Sequence, residues 1–533
     1  MKKYQLFLSS ILTGIILSLS WPANGFPILL FFGFIPLLFV EDYVYKNNKK
    51  NIFFYSYTAF FIWNLLTTWW IYNSTVFGFI SAVVLNSLFM SVPFIAFHLT
   101  KKYTNKNLGY LGLIVFWIAF EHFHLNWDLS WPWLNLGNGF ASYAKYIQWY
   151  EYTGTSGGTF WILFVNIFFY SLIIDLLEKR KTITKFITKF CFALLLIILP
   201  VIFSYFIYNN YKETKNPVNI VIVQPNIDPY NEKFDGMTSD EQIKMVISLA
   251  KSKTDSLTDF VVCPETAIPE GVWENKLEYS NSINILKKFI KTFPKLKIIT
   301  GLSSYKMFEK GEKISSTARK YPYDDMYYDA YNSAMFLDSS KNIQIYHKSK
   351  LVPGVEKMPF PRILKFLDKF ALDLGGTTGS LGIQKHRSNF ITQPDSIKIA
   401  PSVCYESIYG EFMSKYIKNG ANIIFIITND GWWGNTPGYK QHFQYARLRA
   451  VETRRSIVQS ANTGISGFIN QRGDIIQSTQ WWIPVAIKQK VNINSKITFF
   501  VKYGDYISKI SVIISVLLIL TTIFNIFLIK RKK

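Results

Sequence analysis

The chain contains little charge, few cysteines and none of the common cofactor motifs. Only 17% of its 533 residues are charged, against about 25% in a typical soluble protein. Its three cysteines are too few for a disulfide framework. The GxGxxG, Walker and HExxH patterns are missing from the sequence, so we predict neither a cofactor nor a metal. Hydrophobic residues make up 49% of the chain, which together with the low charge is atypical of a soluble domain.

Eight apolar runs approach the length that crosses a bilayer, which is about 20 residues. They lie at 4–21, 25–41, 52–72, 76–98, 108–123, 159–177, 186–209 and 508–529. The first run follows Lys2 and Lys3, so a cleaved signal peptide is an alternative, although no A-x-A site follows it. The net charge of +23 comes in good part from basic residues that flank these runs, so we predict no nucleic-acid partner.

The positions of the basic residues predict an orientation. With the N-terminus in the cytoplasm and eight crossings, every short basic cluster falls on the cytoplasmic side. The clusters lie at 2–3, 46–50, 101–106, 179–189 and 530–533, and the outer turns 22–24 and 73–75 carry none. We therefore expect both termini in the cytoplasm. Residues from about 210 to 507 are then outside, on the periplasmic side of a bacterial inner membrane.

The expected architecture is a polytopic α-helical membrane bundle with an inserted α/β domain. The bundle takes residues 1–209 and the helix 508–529, and an extracytoplasmic catalytic domain takes residues 217–490. An outer loop at 122–158 is rich in Trp, Tyr and Gly. Its composition is consistent with an interfacial aromatic belt and also with a re-entrant loop that contacts lipid.

The inserted segment alternates short Val- and Ile-rich runs with amphipathic runs, which is typical of a layered α/β domain. The strands are predicted at 219–224, 259–263, 296–302, 333–337, 343–347, 397–404, 422–428, 456–461 and 467–470. The helices are predicted at 239–253, 279–292, 411–418 and 441–453. Ser239 and Gln242 form a capping-box pattern at the start of the first of these helices.

Glu265, Lys348 and Cys404 each stand at or just beyond the end of a predicted strand. Together they offer a base, an oxyanion stabiliser and a nucleophile for acyl transfer through a thioester. A dry pocket is expected to raise the basicity of Glu265, so that it can accept the thiol proton. A backbone N–H beside Tyr405 is a second candidate donor to the oxyanion. Because the chain also spans a membrane, we expect the acyl group to come from a lipid.

Each of these three residues also has a structural alternative. Glu265 follows a proline and can cap a turn or a helix, and Lys348 can be a solvated strand end. Cys404 can be a small buried hydrophobe. A disulfide between Cys263 and Cys404 would consume the nucleophile. Cys191 lies in an apolar run, and we interpret it as inert packing.

Three short motifs resemble the signature of the carbon–nitrogen hydrolase (nitrilase) superfamily: Pro264-Glu265, Lys348-x-x-Leu-Val-Pro and Cys404-Tyr405-Glu406. Further segments agree, at 131–133, 223–226, 331–333, 429–434, 441–444, 447–452 and 461–466. With the eight spans, nearly the whole chain is similar to the membrane-bound N-acyltransferases of that superfamily. The resemblance implies a four-layer α-β-β-α domain and a catalytic triad of Glu265, Lys348 and Cys404.

The same resemblance implies supporting roles for five more residues. Glu356 is expected to orient the lysine or to assist proton transfer. Tyr405 and Glu406 are expected to shape the pocket, and Asn332 to line it. Trp432 falls on a loop thought to guard the substrate entrance, and the Gly, Trp and Pro content of 431–438 makes that loop a candidate lid.

The chain departs from the family pattern in two places. The family has Pro-Phe-Gly-Glu where this chain has Pro353-Gly354-Val355-Glu356, so the backbone of that loop is expected to differ. A tryptophan expected shortly after Asn226 is missing, and Lys233 and Phe234 occupy that neighbourhood. Lys350 also competes with Lys348 for the role of catalytic lysine, and the spacing of the Lys-x-x-Leu-Val-Pro motif selects Lys348.

The resemblance implies a two-step acyl transfer at the lipid bilayer without a cofactor. Cys404 would take a fatty acyl chain from a membrane phospholipid and pass it to the N-terminal α-amine of the diacylglyceryl-cysteine of an apolipoprotein. Competing hypotheses are a membrane-anchored amidase that uses water, a transferase for another amine or a glycan, and a non-enzymatic receptor or scaffold. A transporter is disfavoured because the spans lack charged pairs away from their flanks.

Overall fold

A computed structural model describes residues 2–178, 182–233, 236–322, 324–360 and 380–531 of the chain. The chain forms two compact units, Met1–Tyr211 with Tyr503–Lys533, and Lys212–Lys502. Phe234, which the sequence places near a missing tryptophan, lies outside the described residues.

The described residues form thirteen α-helices and fourteen β-strands. The helices are α1 Lys3–Leu19, α2 Ile35–Lys46, α3 Ile52–Thr68, α4 Val76–Tyr103, α5 Lys106–His124, α6 Tyr150–Leu177, α7 Ile183–Asn210, α8 Ser239–Lys253, α9 Asn281–Thr292, α10 Gly410–Lys418, α11 Pro437–Thr453, α12 Phe499–Tyr503 and α13 Tyr506–Arg531. The strands are β1 Pro217–Gln224, β2 Phe260–Val262, β3 Ile268–Trp273, β4 Lys297–Met307, β5 Arg319–Lys320, β6 Tyr327–Leu337, β7 Gln344–His347, β8 Phe390–Ile391, β9 Lys398–Val403, β10 Ile423–Thr428, β11 Ile457–Ala461, β12 Gly467–Ile469, β13 Ile475–Ser478 and β14 Val485–Asn492.

The first unit is helical, and each of the eight predicted runs contains a helix. Within the described residues, five helical segments are long and apolar enough to cross a membrane: Pro27–Lys46, Val76–Tyr103, Tyr150–Leu177, Ile183–Asn210 and Tyr506–Arg531. Helices α1 and α3 have 17 residues each, which at 1.5 Å per residue is a little shorter than a bilayer core of about 30 Å. The helical membrane part is thus confirmed, and the count of eight crossings stays a prediction.

The predicted outer loop at 122–158 is largely packed inside the helical unit. Its Trp133 and Tyr150 side chains are buried, so they do not face outward as residues of an aromatic belt would. Glu121 fastens the loop: its carboxylate accepts hydrogen bonds from the Leu136 amide and the Thr159 hydroxyl, both at 2.7 Å. Helix α6 consequently starts at Tyr150, nine residues before the predicted span.

The second unit contains two sheets. The first has the strand order β14-β1-β2-β4-β6-β5, with β3 beside β4 and β7 beside β6, and the second has the order β13-β12-β11-β10-β9-β8. The centre of each sheet is parallel, through β1, β2 and β4 in one and β9, β10 and β11 in the other. Among these central strands, β1, β2 and β10 are rich in Val, Ile and Phe, as expected of parallel strands buried on both faces.

Side-chain alternation along the central strands assigns the two faces of the first sheet. Val221 and Val261 pack with Ile243 of α8 and Ile283 of α9 in one apolar core. On the other face, Phe260 packs edge-on against Phe425 of β10, with ring centroids 5.6 Å apart.

Helix α10 covers the second sheet, where the Tyr416 hydroxyl donates to the Pro401 carbonyl of β9 at 3.1 Å. Helices therefore cover both outer faces of a pair of packed sheets. The predicted α-β-β-α architecture is confirmed.

All nine predicted strands are present, but the capping of α8 is shifted by one residue. The cap is Thr238, whose hydroxyl accepts from the Glu241 amide, while the Glu241 carboxylate accepts from the Thr238 amide at 2.9 Å. The predicted pair Ser239 and Gln242 is wrong because the Gln242 side chain is used elsewhere, donating to the Lys233 carbonyl at 2.8 Å.

Five strands were not predicted: β3, β5, β8, β13 and β14. Strand β14 pairs antiparallel with β1 at the edge of the first sheet and carries Lys488, Gln489 and Lys490. An edge strand is only partly buried, so its sequence lacks the apolar run that marks the central strands.

The three cysteines are free thiols, so the Cys263–Cys404 disulfide considered from the sequence is not formed. Cys263 and Cys404 are buried in the second unit, whereas Cys191 is exposed on α7. The interpretation of Cys191 as a packed side chain is therefore wrong: it lies on the outer surface of a helix that is apolar on all sides.

Candidate active site

The candidate residues lie at the carboxyl ends of neighbouring strands, where open α/β sheets form their ligand sites. Glu265 is the third residue after β2, Lys348 follows β7 directly, and Cys404 follows β9 directly. Asn429 follows β10, which is the parallel neighbour of β9. Strands β2 and β7 belong to the first sheet and β9 and β10 to the second, so the site combines strand ends from both sheets.

The Glu265 carboxylate is the centre of the site and is held on both oxygens. Its Oε1 accepts from the Asn332 side-chain amide at 2.7 Å and from the Lys348 ammonium at 3.2 Å. Its Oε2 accepts from the Asn429 backbone N–H at 3.0 Å. Three donors from β6, β7 and β10 thus fix the position of this carboxylate, which is 7% exposed.

Close backbone packing holds the turn that carries Glu265. Thr266 has φ of +49°, which is unusual for a β-branched residue. A Cβ atom on Gly301 of β4 would lie 2.4 Å from the Thr266 nitrogen and 2.7 Å from the Glu265 Cα. Only glycine at position 301 lets β4 approach the turn this closely.

The Lys348 ammonium bridges two carboxylates. It donates to Glu265 Oε1 at 3.2 Å and to Glu356 Oε1 at 2.8 Å, and its side chain is 1% exposed. The Asn332 amide donates to the same two carboxylates, to Glu356 at 2.9 Å. The second oxygen of Glu356 accepts from the Val352 amide at 2.8 Å. Glu356 therefore holds both the lysine and the loop that follows it.

The structure separates Lys348 from the competing Lys350. The Lys350 ammonium lies 4.8 Å from the centroid of the Tyr409 ring, and its backbone N–H donates to Glu406 at 3.2 Å. Lys348, by contrast, contacts Glu265 directly. The two lysine side chains therefore have different environments. Motif spacing and geometry both favour Lys348 as the candidate catalytic lysine.

The backbone at Cys404 is left-handed, with φ of +51°. Cys404 begins the 3₁₀ turn Cys404–Ile408 and is 9% exposed. Val403 pairs with Ile427 in the sheet register, so Cys404 lies beside Thr428, next to the Asn429 amide that contacts Glu265. This register brings the thiol to the carboxylate and the ammonium.

A buried chain of polar groups supports the Cys404 backbone. The Cys404 carbonyl accepts from the Ser407 hydroxyl at 2.8 Å and lies 3.3 Å from His442 Nε2. His442 Nδ1 is 3.0 Å from the Asp430 carboxylate, which also accepts from the Thr428 hydroxyl at 2.7 Å. The sequence motifs that contain Asp430 and His442 supported the family resemblance, but no role was predicted for either residue.

The electrostatics of the site differ from the expectation. Burial acts to raise the pKa of Glu265, but the Lys348 ammonium and the Asn332 amide outweigh it and hold that pKa below its usual value. Burial and the Glu265 charge raise the pKa of the Cys404 thiol well above its usual value, against the effect of Lys348. Burial acts to lower the pKa of Lys348, but Glu265 and Glu356 raise it well above normal.

The resting site thus contains a neutral thiol beside an ion pair. The expectation that a dry pocket raises the basicity of Glu265 is wrong, because the neighbouring ammonium dominates. The raised pKa makes removal of the Cys404 thiol proton less favourable than in a free cysteine.

Glu406 lies outside the ion pair and holds the segment that carries Lys348. It is fully buried, and its Oε1 accepts from the Tyr346 hydroxyl at 2.7 Å and the Ser349 amide at 2.6 Å. Its Oε2 accepts from the Val403 amide, beside the nucleophile, at 2.9 Å. One carboxylate therefore ties the backbone after β7 to the end of β9.

We expect Glu406→Gln to lower the free energy of unfolding by about 2 kcal/mol, because an amide N–H₂ then faces a backbone N–H that it cannot bond. A drop in the thermal unfolding midpoint of the full-length protein measures this effect. The exposed Glu278→Gln is the matched control and should leave the midpoint unchanged. An unchanged midpoint for Glu406→Gln would contradict the role of Glu406 in tying the segment after β7 to the end of β9.

The remaining predicted residues lie on separate segments of the second unit. Tyr405 is buried and packs edge-on against Tyr409, with centroids 5.3 Å apart. The Trp432 carbonyl accepts from the Tyr230 hydroxyl at 2.8 Å, and the two rings pack edge-on. Gly354 has φ of +80°, a conformation that suits glycine. Gly354 therefore allows the loop a backbone turn with positive φ, and Glu356 still accepts from the Lys348 ammonium.

Among the residues that the structure describes, no group of three or more His, Cys, Asp or Glu side chains is arranged to hold a metal ion. The ionisable groups of the site instead bond to one another. The arrangement offers a thiol nucleophile, a carboxylate proton acceptor and an ammonium donor, which is the equipment for acyl transfer.

Comparison with known proteins gives two family matches. Residues 220–491 match the family described as carbon–nitrogen hydrolase, and residues 13–168 match the apolipoprotein N-acyltransferase N-terminal domain. A Chlorobaculum tepidum protein named apolipoprotein N-acyltransferase is 28% identical over 518 residues, which cover 94% of this chain and 93% of that protein. A Thermotoga maritima protein of the same name is 27% identical over 538 residues, which cover 96% and 92%.

Proposed function

The chain belongs to the carbon–nitrogen hydrolase family, and on that basis we propose that it transfers a fatty acyl chain to the N-terminal amine of an apolipoprotein. The observation that carries the proposal is the extent of the match. Relatives that bear the name apolipoprotein N-acyltransferase align with more than nine tenths of the chain, across both the helical unit and the sandwich. An amidase of the same family would account for the sandwich alone.

In the first half-reaction, the Cys404 sulfur attacks the carbonyl carbon of a phospholipid acyl ester while Glu265 accepts the thiol proton. The Lys348 ammonium and the backbone N–H beside the thiol stabilise the oxyanion of the tetrahedral intermediate. The carbon–oxygen bond then breaks, and Glu265 returns the proton to the departing lysophospholipid. The acyl chain remains on Cys404 as a thioester.

In the second half-reaction, the α-amine of a diacylglyceryl-cysteine attacks the thioester carbonyl. The carbon–sulfur bond breaks, and the amine proton passes to Glu265 and from there to the departing sulfur, which regenerates Cys404 as a thiol and Glu265 as a carboxylate. The product is an N-acylated, triacylated lipoprotein. Because the thioester also reacts with water, the burial of Glu265, Lys348 and Cys404 is important: it limits hydrolysis while the acceptor arrives.

The resting electrostatics support a two-step scheme. The thiol is neutral until a substrate carbonyl is present, so the free enzyme carries no reactive thiolate. As the sulfur–carbon bond forms, negative charge develops on the substrate carbonyl oxygen. The Lys348 ammonium can then interact with that oxyanion. The transition state is thereby stabilised more than the resting state.

We further propose that the helical unit places this chemistry at the bacterial inner membrane, with Lys212–Lys502 on the periplasmic side and both termini in the cytoplasm. The distribution of basic clusters supports this orientation. Both substrates are lipid-anchored, so a catalytic domain tied to a bilayer meets them at high local concentration.

A chase experiment tests the function and separates it from an amidase. Purified protein is first loaded with phospholipid until intact mass shows one added acyl group, and then receives a diacylglyceryl-cysteine peptide. We expect the acyl mass to leave the enzyme and appear on the peptide as an amide. An N-acetylated copy of the peptide is the matched control and should leave the adduct in place. Loss of the adduct to water at the same rate with either peptide would contradict the transferase and support an amidase.

A further inference from the structure

A second buried lysine lies beside the proposed base, and the mechanism above does not use it. Lys233 is 6% exposed. Its ammonium donates to the Glu265 carbonyl oxygen at 3.3 Å and to the Thr266 hydroxyl at 2.5 Å. A buried ammonium is costly unless its contacts serve the fold or the site, so its location on the turn that carries Glu265 needs an explanation.

The backbone of Lys233 is itself fixed. Its N–H donates to the Asp228 carbonyl at 2.9 Å, and its carbonyl accepts from the Gln242 side chain of α8 at 2.8 Å. The Lys233 ammonium therefore reaches the Glu265–Thr266 turn from a backbone that is hydrogen-bonded on both its N–H and its carbonyl.

The Glu265–Thr266 turn is a place where such a contact matters. Thr266 is in the left-handed region, and a conformation of this kind costs of order 1 kcal/mol or more unless the surroundings hold it. Lys233 bonds the carbonyl of Glu265 and the hydroxyl of Thr266, so it holds both residues of the turn. A shift of this turn would move the Glu265 carboxylate away from Cys404.

Lys233 also changes the charge balance of the site. The cations Lys348 and Lys233 then match the anions Glu265 and Glu356 in number. Among the described residues packed around the Lys233 ammonium, Glu265 is the charged group that acts on it; Gln242 on α8 is neutral, and the carboxylates of Asp228 and Glu232 bond within their own turn.

We propose that Lys233 is a positioning residue for Glu265: it clamps the turn that carries the base and supplies a second positive charge that keeps the carboxylate ionised. The inference rests on the proposed role of Glu265 as the base. Burial lowers the pKa of Lys233 to about 8, so its charge is present below that pH and is lost as the pH rises through it.

The test uses iodoacetamide alkylation of Cys404 in the full-length protein, followed by peptide mass so that the exposed Cys191 is scored separately. Rates are measured from neutral to alkaline pH for wild type, Lys233→Met and Lys233→Arg. We expect Lys233→Met to react about tenfold more slowly at neutral pH, as a misplaced catalytic group does. The ratio of the wild-type rate to either variant should be constant below about pH 8 and fall above it, because only wild type loses a charge there.

The exposed Lys244→Met, on α8, is the matched control and should follow wild type throughout. If Lys233→Met alkylates as fast as wild type, or if the ratio stays flat across the whole range, the proposal is overturned. If one of the variants does not fold, the other still supplies the ratio. Because alkylation needs no lipid, a wild type that alkylates at Cys404 but forms no acyl adduct from phospholipid would count against the proposed function and not against this inference.

Discussion

Cys404→Ser is expected to abolish the fatty-acyl adduct that forms when the protein meets phospholipid. The loss should be about 10⁴-fold or more, because the covalent route through sulfur disappears. A serine hydroxyl is far harder to deprotonate than a thiol, and the Glu265 carboxylate, with its lowered pKa, is a weak base for that purpose. Intact-mass analysis of wild type and variant measures the effect as the presence or absence of one acyl increment.

Cys191→Ser is the matched control for that experiment, because Cys191 is exposed on α7 and belongs to the helical unit, not to the unit that carries the site. It should acquire the acyl mass at the wild-type rate. An adduct that persists on Cys404→Ser at wild-type level, or that is lost in Cys191→Ser, would remove Cys404 from the mechanism.

Lys348→Met is expected to slow acylation about 10²–10³-fold, the usual effect of removing one oxyanion donor. Lys350→Met is the matched control: its ammonium lies by the Tyr409 ring and not on Glu265, so acylation should fall much less. The rate of acyl-mass gain measures both variants. The reverse result, with Lys350→Met the more damaging change, would show that the other lysine is catalytic.

The thermal stability of Lys348→Met is expected to depend on pH differently from that of wild type. In wild type the pKa of Glu265 is below its unfolded value, so its contribution to stability is present above the unfolded pKa and is lost as pH falls through the folded pKa. Without Lys348, Glu265 and Glu356 face each other with no bridging ammonium, so the pKa of Glu265 rises. The gap in thermal midpoint between wild type and Lys348→Met should therefore be large at neutral pH and shrink on acidification. An equal gap at both pH values would contradict the assigned ion pair.

Much of the fold could be predicted because its central elements are buried on both sides. The strands β1, β2 and β10 are rich in Val and Ile, and such runs are visible without coordinates. The strands that were missed, such as β14, lie at sheet edges, where solvent contact permits lysine and glutamine. The cap of α8 was misplaced by one residue because Ser239-Gln242 and Thr238-Glu241 both fit the pattern. The hydrogen bond from the Gln242 side chain to the Lys233 carbonyl, which takes Gln242 away from the cap, is not visible in the local sequence pattern.

The site residues likewise fall into those that sequence motifs identify and those that only the structure identifies. The family motifs selected Glu265, Lys348 and Cys404, and the structure places all three just beyond the carboxyl ends of strands from the two packed sheets. The functions of Glu406 and His442 were not predicted in detail, because each acts on backbone atoms contributed by distant segments. Lys233 carries no sequence signal of its own. It is a single lysine in a basic chain, and its proximity to Glu265 arises only when β1 and β2 pair.

By itself, the sequence determined the separation into apolar helices and an inserted sandwich, since both follow from the local spacing of apolar residues. It also determined the chemical inventory of a thiol, a carboxylate and an amine. Only the tertiary structure decided the charge state of that inventory, because a pKa depends on burial and on neighbours that are remote along the chain. Against burial, the Lys348 ammonium and the Asn332 amide lower the pKa of Glu265. Burial and the Glu265 charge raise the pKa of the Cys404 thiol, and no local pattern records the distances between these groups.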